Sequence, residues 1–236
     1  MRVLAALAAG FCLGVAAPPA RCDSPLYEVT DLTLADDVEL AWVGSREHDG
    51  ADDRRSDGFE LVFPLGERWE AAVASSIASR GHGPRHSALG DTEVAVKVVV
   101  LAETEAGAAL GLEPTLILPA GLSGAGEGVV QFVLPLAASK VIGRYRLTAQ
   151  LAYARSGRED HAPMSILAER ALGDRWWLGA EVAADASLQR GGGREAEVNL
   201  GGVWRLRDGV GLHGLIGRAV AGGAGTHSRM ALIVDF

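Results

Sequence analysis

The chain has 236 residues, with 22 lysines and arginines against 30 aspartates and glutamates and a net charge of −8. That acidic balance argues against a nucleic-acid partner, which would call for a basic surface. Hydrophobic residues make up 48%, aromatics only 6%, and there are 31 glycines; glycine at roughly twice its usual share, with little sustained helical periodicity, points away from an ordinary helical domain.

Met1-Arg2 opens the chain, Val3 to Ala17 form an apolar run, and small residues and prolines continue to Ala20. This order of basic start, apolar core and small-residue region predicts a secretory signal peptide over 1–22, cleaved between Ala17 and Asp23. Arg2 and Arg21 fall within it, so the remainder is more acidic than the whole chain. Cys12 and Cys22 lie in or beside it, which leaves no internal disulfide. Residues 23–36 are expected to form a periplasmic N-terminal segment, and 37–236 a barrel domain. The one later apolar stretch, Pro114 to Ser139, is interrupted by Pro119, Pro135 and several glycines, so it predicts strand, loop and strand rather than a membrane helix.

Period-two segments bounded by turn residues predict twelve strands: 37–45, 57–64, 69–80, 91–104, 107–119, 128–137, 143–155, 161–171, 175–188, 194–206, 210–221 and 227–236. Most reach the roughly ten residues that a tilted membrane strand requires. Connections after the even strands read as short, such as Leu65 to Arg68 and Arg207 to Gly209, with Ala138 to Ile142 a little longer. Those after the odd strands read as longer or richer in charge and glycine, such as Arg46 to Ser56, Gly81 to Gly90 and Ala120 to Glu127. Short periplasmic turns and longer outer loops are the pattern of outer-membrane barrels. On the last strand Met230, Leu232, Val234 and Phe236 share one face, and an apolar edge of this kind needs a partner. The expected fold is therefore all-β: an antiparallel up-and-down transmembrane β-barrel of about 12 strands in the cell outer membrane. A secreted sandwich or soluble barrel is the competing architecture.

Alternation also assigns faces. Val94, Val96, Val98 and Val100 would meet lipid while Glu93 and Lys97 point inward; Tyr145, Leu147, Leu151 and Tyr153 oppose Arg144, Arg146 and Gln150. Trp69, Tyr145, Trp176, Trp204 and Phe236 fall near the short-turn end, as an interfacial girdle would, and Trp42 and Tyr153 toward the other rim. The expected lumen lining is Glu93, Lys97, Glu113, Gln131, Arg144, Arg146, Gln150, Glu169, Glu181, Asp185, Glu195, Glu197, Asn199, Arg205 and Arg229, joined by Glu39, Glu60 and Glu70. Acid exceeds base in that set, which favours cations or neutral solutes over anions. Ion pairs that brace or plug the lumen are the equally weighted alternative.

The stretch Leu89-Gly90-Asp91-Thr92-Glu93-Val94-Ala95-Val96-Lys97 resembles the outer-membrane proteins of the MetA-pathway of phenol degradation family. So do Leu116-Ile117-Leu118-Pro119-Ala120-Gly121, the glycines at 124, 126 and 128, Ser139-Lys140 before Gly143, and Tyr153. The resemblance covers roughly residues 57–236; Ala120, Gln150 and Ala152 stand where the family more often has Thr, Asn and Gly. It implies a channel for passive passage of small solutes, hydrophobic or aromatic compounds among them.

Chemistry beyond a channel has little support. His161 and Ser165 share a strand face about 13 Å apart, too far to hydrogen-bond, and no Gly-x-Ser-x-Gly elbow is present. His82 and His86 would need further ligands to hold a metal, and Gly191 to Gly193 open no helix. The expectation is a non-enzymatic protein with no metal and no cofactor. Its expected partners are outer-membrane lipid and lipopolysaccharide, the barrel-assembly machinery through the strand ending at Phe236, and a small-molecule solute. The acidic and basic residues between Arg46 and Ser56 read as a solvated loop, and a structural or surface-interaction barrel remains the alternative function.

Overall fold

The computed structural model describes residues 27–49, 52–80, 87–119, 128–189, 191–223 and 225–236. The signal-like stretch, both cysteines, His82, His86, Gly124 and Gly126 lie outside the described residues. Fourteen strand segments run in chain order: β1 (Glu39–Asp49), β2 (Asp52–Pro64), β3 (Trp69–Arg80), β4 (Ser87–Leu101), β5 (Ala109–Leu112), β6 (Thr115–Leu118), β7 (Gln131–Ile142), β8 (Tyr145–Ser156), β9 (Glu159–His161), β10 (Met164–Ala171), β11 (Trp176–Ala186), β12 (Arg194–Arg207), β13 (Val210–Ala221) and β14 (Thr226–Asp235).

With β5 and β6 taken together, and β9 and β10 likewise, neighbours in sequence pair antiparallel throughout, and β1 pairs with β14 from Glu39↔Asp235 to His48↔Thr226. That last ladder closes the ring and removes both sheet edges, where unpaired N–H and C=O groups would otherwise face lipid. The result is a closed up-and-down barrel of 12 strands. Fourteen segments make twelve strands because prolines interrupt two of them. The fifth strand is β5 and β6, parted at Glu113-Pro114, and the eighth is β9 and β10, parted at Ala162-Pro163. Proline has no N–H to give to a ladder.

The outward face is apolar. Ile166 and Ile216 are each 64% exposed, and Leu151, Leu178, Val182 and Leu200 are more than half exposed. So wide an apolar belt is incompatible with water and matches lipid. Trp176 and Trp204 stack on that face, ring centroids 4.8 Å apart and planes within 10°, at the end of the short turns.

Several boundaries differ from the sequence reading, each for a physical reason. Residues 46–49 and 52–56 continue the first hairpin rather than forming a loop, because their charges complement one another across strands. Glu47 faces Arg54 in register, and Arg46 Nε donates to Asp53 Oδ1 at 2.9 Å. With β1 running to Asp49, Trp42 lies in the short-turn half of the barrel, opposite Phe59 and Leu232. Likewise β7 continues through 138–142, so the link to β8 is only Gly143-Arg144. Gly143 takes a φ of 62°, the left-handed conformation favoured in two-residue hairpins. The tight Gly157-Arg158 turn also occurs at the other rim, so the length asymmetry rests on the connections 81–86, 119–130 and 187–193.

Candidate functional site

The stretch read from sequence as a periplasmic segment lies, over residues 27–36, inside the barrel. It forms no ladder, so its backbone groups must find side-chain partners. The N–H groups of Glu28 and Val29 donate to Glu181 Oε2 and Oε1 at 3.2 and 2.9 Å. Thr30 N–H donates to Gln150 Oε1 at 2.7 Å, and Gln150 Nε2 returns a bond to Glu28 O at 3.1 Å. Ala35 N–H donates to Glu70 Oε2 at 2.8 Å, and Lys97 Nζ donates to Thr33 O at 3.3 Å. Between these anchors Asp31 Oδ1 accepts from both the N–H and the hydroxyl of Thr33 at 2.9 Å, a local turn that fixes the strap's bend.

Two ion pairs tie the strap to the wall: Arg146 Nη1 to Asp31 Oδ2 at 3.4 Å, and Arg229 Nη2 to Glu28 Oε1 at 2.6 Å. Tyr27 and Val29 bury against Leu167, Leu215 and Ala231, and Leu32 against Ala109 and Ala137. Inward-facing glycines make the room. A Cβ at Gly179 would overlap Tyr27 Oη, one at Gly201 would lie 2.7 Å from the same atom, and one at Gly111 would lie 2.5 Å from Leu32 Cδ2.

The expected lining residues divide by what the strap does with them. Arg146, Gln150, Glu181 and Arg229 hold it directly. Lys97 holds it and pairs with Glu70, its direct neighbour in register, at 2.6 Å. Glu93 and Glu113 line the cavity that remains beside it, as do Glu39 and Glu60. Glu169 packs near Gly179, under Tyr27. Asn199 Nδ2 bridges Glu181 and Glu197, each at 2.9 Å. Asp185, Glu195 and Glu197 gather at the mouth toward the longer connections. Gln131 lies on the inward row of β7 near that same end, with Val133 and Pro135. Arg205 stays at the short-turn end, its guanidinium 5.2 Å from the ring centre of the inward Trp177. Arg144 is not in the lumen: it sits exposed in the two-residue turn after β7.

Residues that strand alternation did not point to are Tyr27, Glu28, Asp31, Leu32, Trp177 and the buried His213. The strap carries no paired strand pattern, and Trp177 follows a lipid-facing tryptophan directly, so only its parity distinguishes it. His161, expected to be too far from Ser165 to hydrogen-bond with it, lies against Asp185, Nδ1 to Oδ2 at 3.1 Å.

What the strap leaves open is a cavity of about 590 Å³, lined by nine carboxylates and by Lys97 and Arg229 as its lysine and arginine among the described residues. A second cavity of about 500 Å³ opens at the mouth. Glu28, Glu47 and Gln150 border both. Among the described residues no group of three His, Cys, Asp or Glu is placed to hold a metal ion.

This geometry defines an outer-membrane β-barrel, lipid-facing outside and polar within. Solved structures with the same fold include the COG4313 outer membrane channel from Pseudomonas putida F1, at 13% identity and TM-score 0.67, covering 92% of this chain and all of that one. The NanC porin aligns at 7% identity and TM-score 0.64, over 84% of this chain and 100% of its own. The KdgM porin, solved with disordered oligogalacturonate, aligns at 8% identity and TM-score 0.62, over 84% and 99%. No family model matches the sequence, and no curated protein matches it.

Proposed function

We propose that this protein is a channel for passive passage of small solutes across the outer membrane, with cations and small neutral compounds favoured over anions. The observation that carries the reading is the acid-lined space beside the strap, continuous in its lining residues with the mouth cavity through Glu28, Glu47 and Gln150. A lumen of fixed carboxylates lowers the electrostatic energy of an entering cation and raises that of an anion. An acidic oligosaccharide such as the one in the KdgM complex is thereby disfavoured here. Small aromatic solutes follow from the resemblance to the MetA-pathway of phenol degradation family, and the strap's narrowing of the bore is consistent with that size class.

The rival reading is a non-conducting barrel braced by its own plug, favoured by the pairs Arg146 to Asp31 and Arg229 to Glu28. Permeation into liposomes carrying the refolded protein separates the two. A neutral small aromatic is expected to enter faster than into protein-free liposomes, and a disaccharide is not. Equal entry with and without protein, for every solute tested, would leave the braced barrel as the better account.

A further inference from the structure

The mouth cavity is built from the ends of β1, β10, β11, β12, β13 and β14 that lie toward the longer connections. Carboxylates reach it from three sides: Glu47 on β1, Asp185 on β11, Glu195 and Glu197 on β12, and Glu28 on the strap. Among the described residues no lysine or arginine lines it. Asp185 and Glu195 are direct cross-strand neighbours, where like charges repel. His161 faces Asp185, His227 Nδ1 lies 3.7 Å from Glu197, Arg229 holds Glu28, and Arg54 stands 4.0 Å from Glu47. Glu195 has no ion pair among the described residues.

A second observation points to a ligand. Ser165, 4% exposed and on the inward row of β10, lines this cavity, and its Oγ has no hydrogen-bond partner among the described residues. A buried hydroxyl left without a partner is unfavourable, and a ligand that donates to it relieves that cost. The site therefore offers carboxylates and a hydroxyl, a set that suits a ligand rich in N–H donors.

The carboxylates are spread around the mouth rather than focused on one point. Among the described residues no three of them, with or without histidine, converge as metal ligands would. A matching ligand carries its positive charges several bonds apart, with apolar spacers to lie against the small inward side chains of Ala183, Ala219 and Ala221. We propose that the mouth is a binding site for linear di- and polyamines, which it concentrates ahead of the acid-lined lumen. This deepens the channel reading and rests on it for its physiological role, though the binding itself does not require conduction.

Isothermal titration of the full-length protein, refolded in detergent at fixed moderate ionic strength, tests it with spermidine, methylammonium and magnesium as separate titrants. Saturable spermidine binding is expected, with methylammonium and magnesium far weaker. The double substitution Asp185→Asn and Glu195→Gln should weaken spermidine by at least about tenfold. Glu67→Gln, in the short turn at the opposite rim, should leave it unchanged. Heat-modifiable mobility on gels confirms that each variant is a folded barrel. Absence of saturable spermidine binding, magnesium binding of equal affinity, or wild-type affinity in the double variant would each overturn the proposal. A protein that conducts small ions yet binds no spermidine would sink this site and leave the channel; spermidine binding without conduction would do the reverse.

Discussion

Deletion of residues 27–36 is expected to raise single-channel conductance several-fold in planar bilayers without unfolding the barrel. The wall does not depend on the strap for any of its ladders: all twelve strands pair with one another, and β1 begins only at Glu39. The strap contributes occupancy. Tyr27, Val29, Leu32 and Ala35 are buried against lumen-facing side chains, and their removal returns that volume to water. Gly179→Val offers an independent route to the same state, since its side chain would claim the space of Tyr27 and, apart from Tyr27, crowd chiefly the flexible Glu169. It should raise conductance in the same direction, by less than the deletion. Unchanged conductance in both variants, with barrels that still show heat-modifiable mobility, would mean that the strap does not limit the bore.

Lys97→Met is expected to destabilise the protein by about 3–5 kcal/mol, the usual cost of stranding one partner of a buried pair. Lys97 and Glu70 have side chains only 9% and 5% exposed and lie 2.6 Å apart. Without the ammonium, the Glu70 carboxylate faces Glu39, Glu60 and Glu113 across the same cavity. The strap also loses the bond from Lys97 to Thr33 O. Urea unfolding followed by tryptophan fluorescence reads the loss as a lowered midpoint. Adding Glu70→Gln should recover much of it, because the uncompensated charge is then gone. A single variant within about 1 kcal/mol of the parent would show that water in the lumen screens the pair as it does a surface one.

Strand alternation carried the wall but not its contents. Around Val94, Val96 and Val98 the period of two is unbroken, and Lys97 between them is necessarily on the other face. Where proline intervenes, at Pro114 and Pro163, the period survives but the ladder breaks, so a single strand was legible where the structure has two segments. The charged run from Arg46 to Arg55 looked like solvent because its complementarity lies across a hairpin, in the register of Glu47 with Arg54, which composition alone does not reveal. The strap was the least legible element. Its buried residues fall at 27, 29, 32 and 35, a spacing that follows neither strand nor helix, because each fits a gap in a wall formed by residues distant in the chain. The inward glycines at 111, 179 and 201 are the trace it leaves in the barrel, and on their own they read as ordinary small residues of a strand.

The lumen's carboxylates were individually legible, yet their role depended on what stands among them. Glu181 and Glu70, as ligands for backbone N–H groups, are occupied in holding the strap. Glu39, Glu60, Glu93 and Glu113 remain to face the open space and set its charge. The measurement that bears most directly on this account is the reversal potential of the full-length protein in a planar bilayer under a potassium chloride gradient. The acid-lined path beside the strap predicts a sign corresponding to preferred passage of potassium over chloride. A potential of the opposite sign, or the absence of any protein-dependent current, would contradict it.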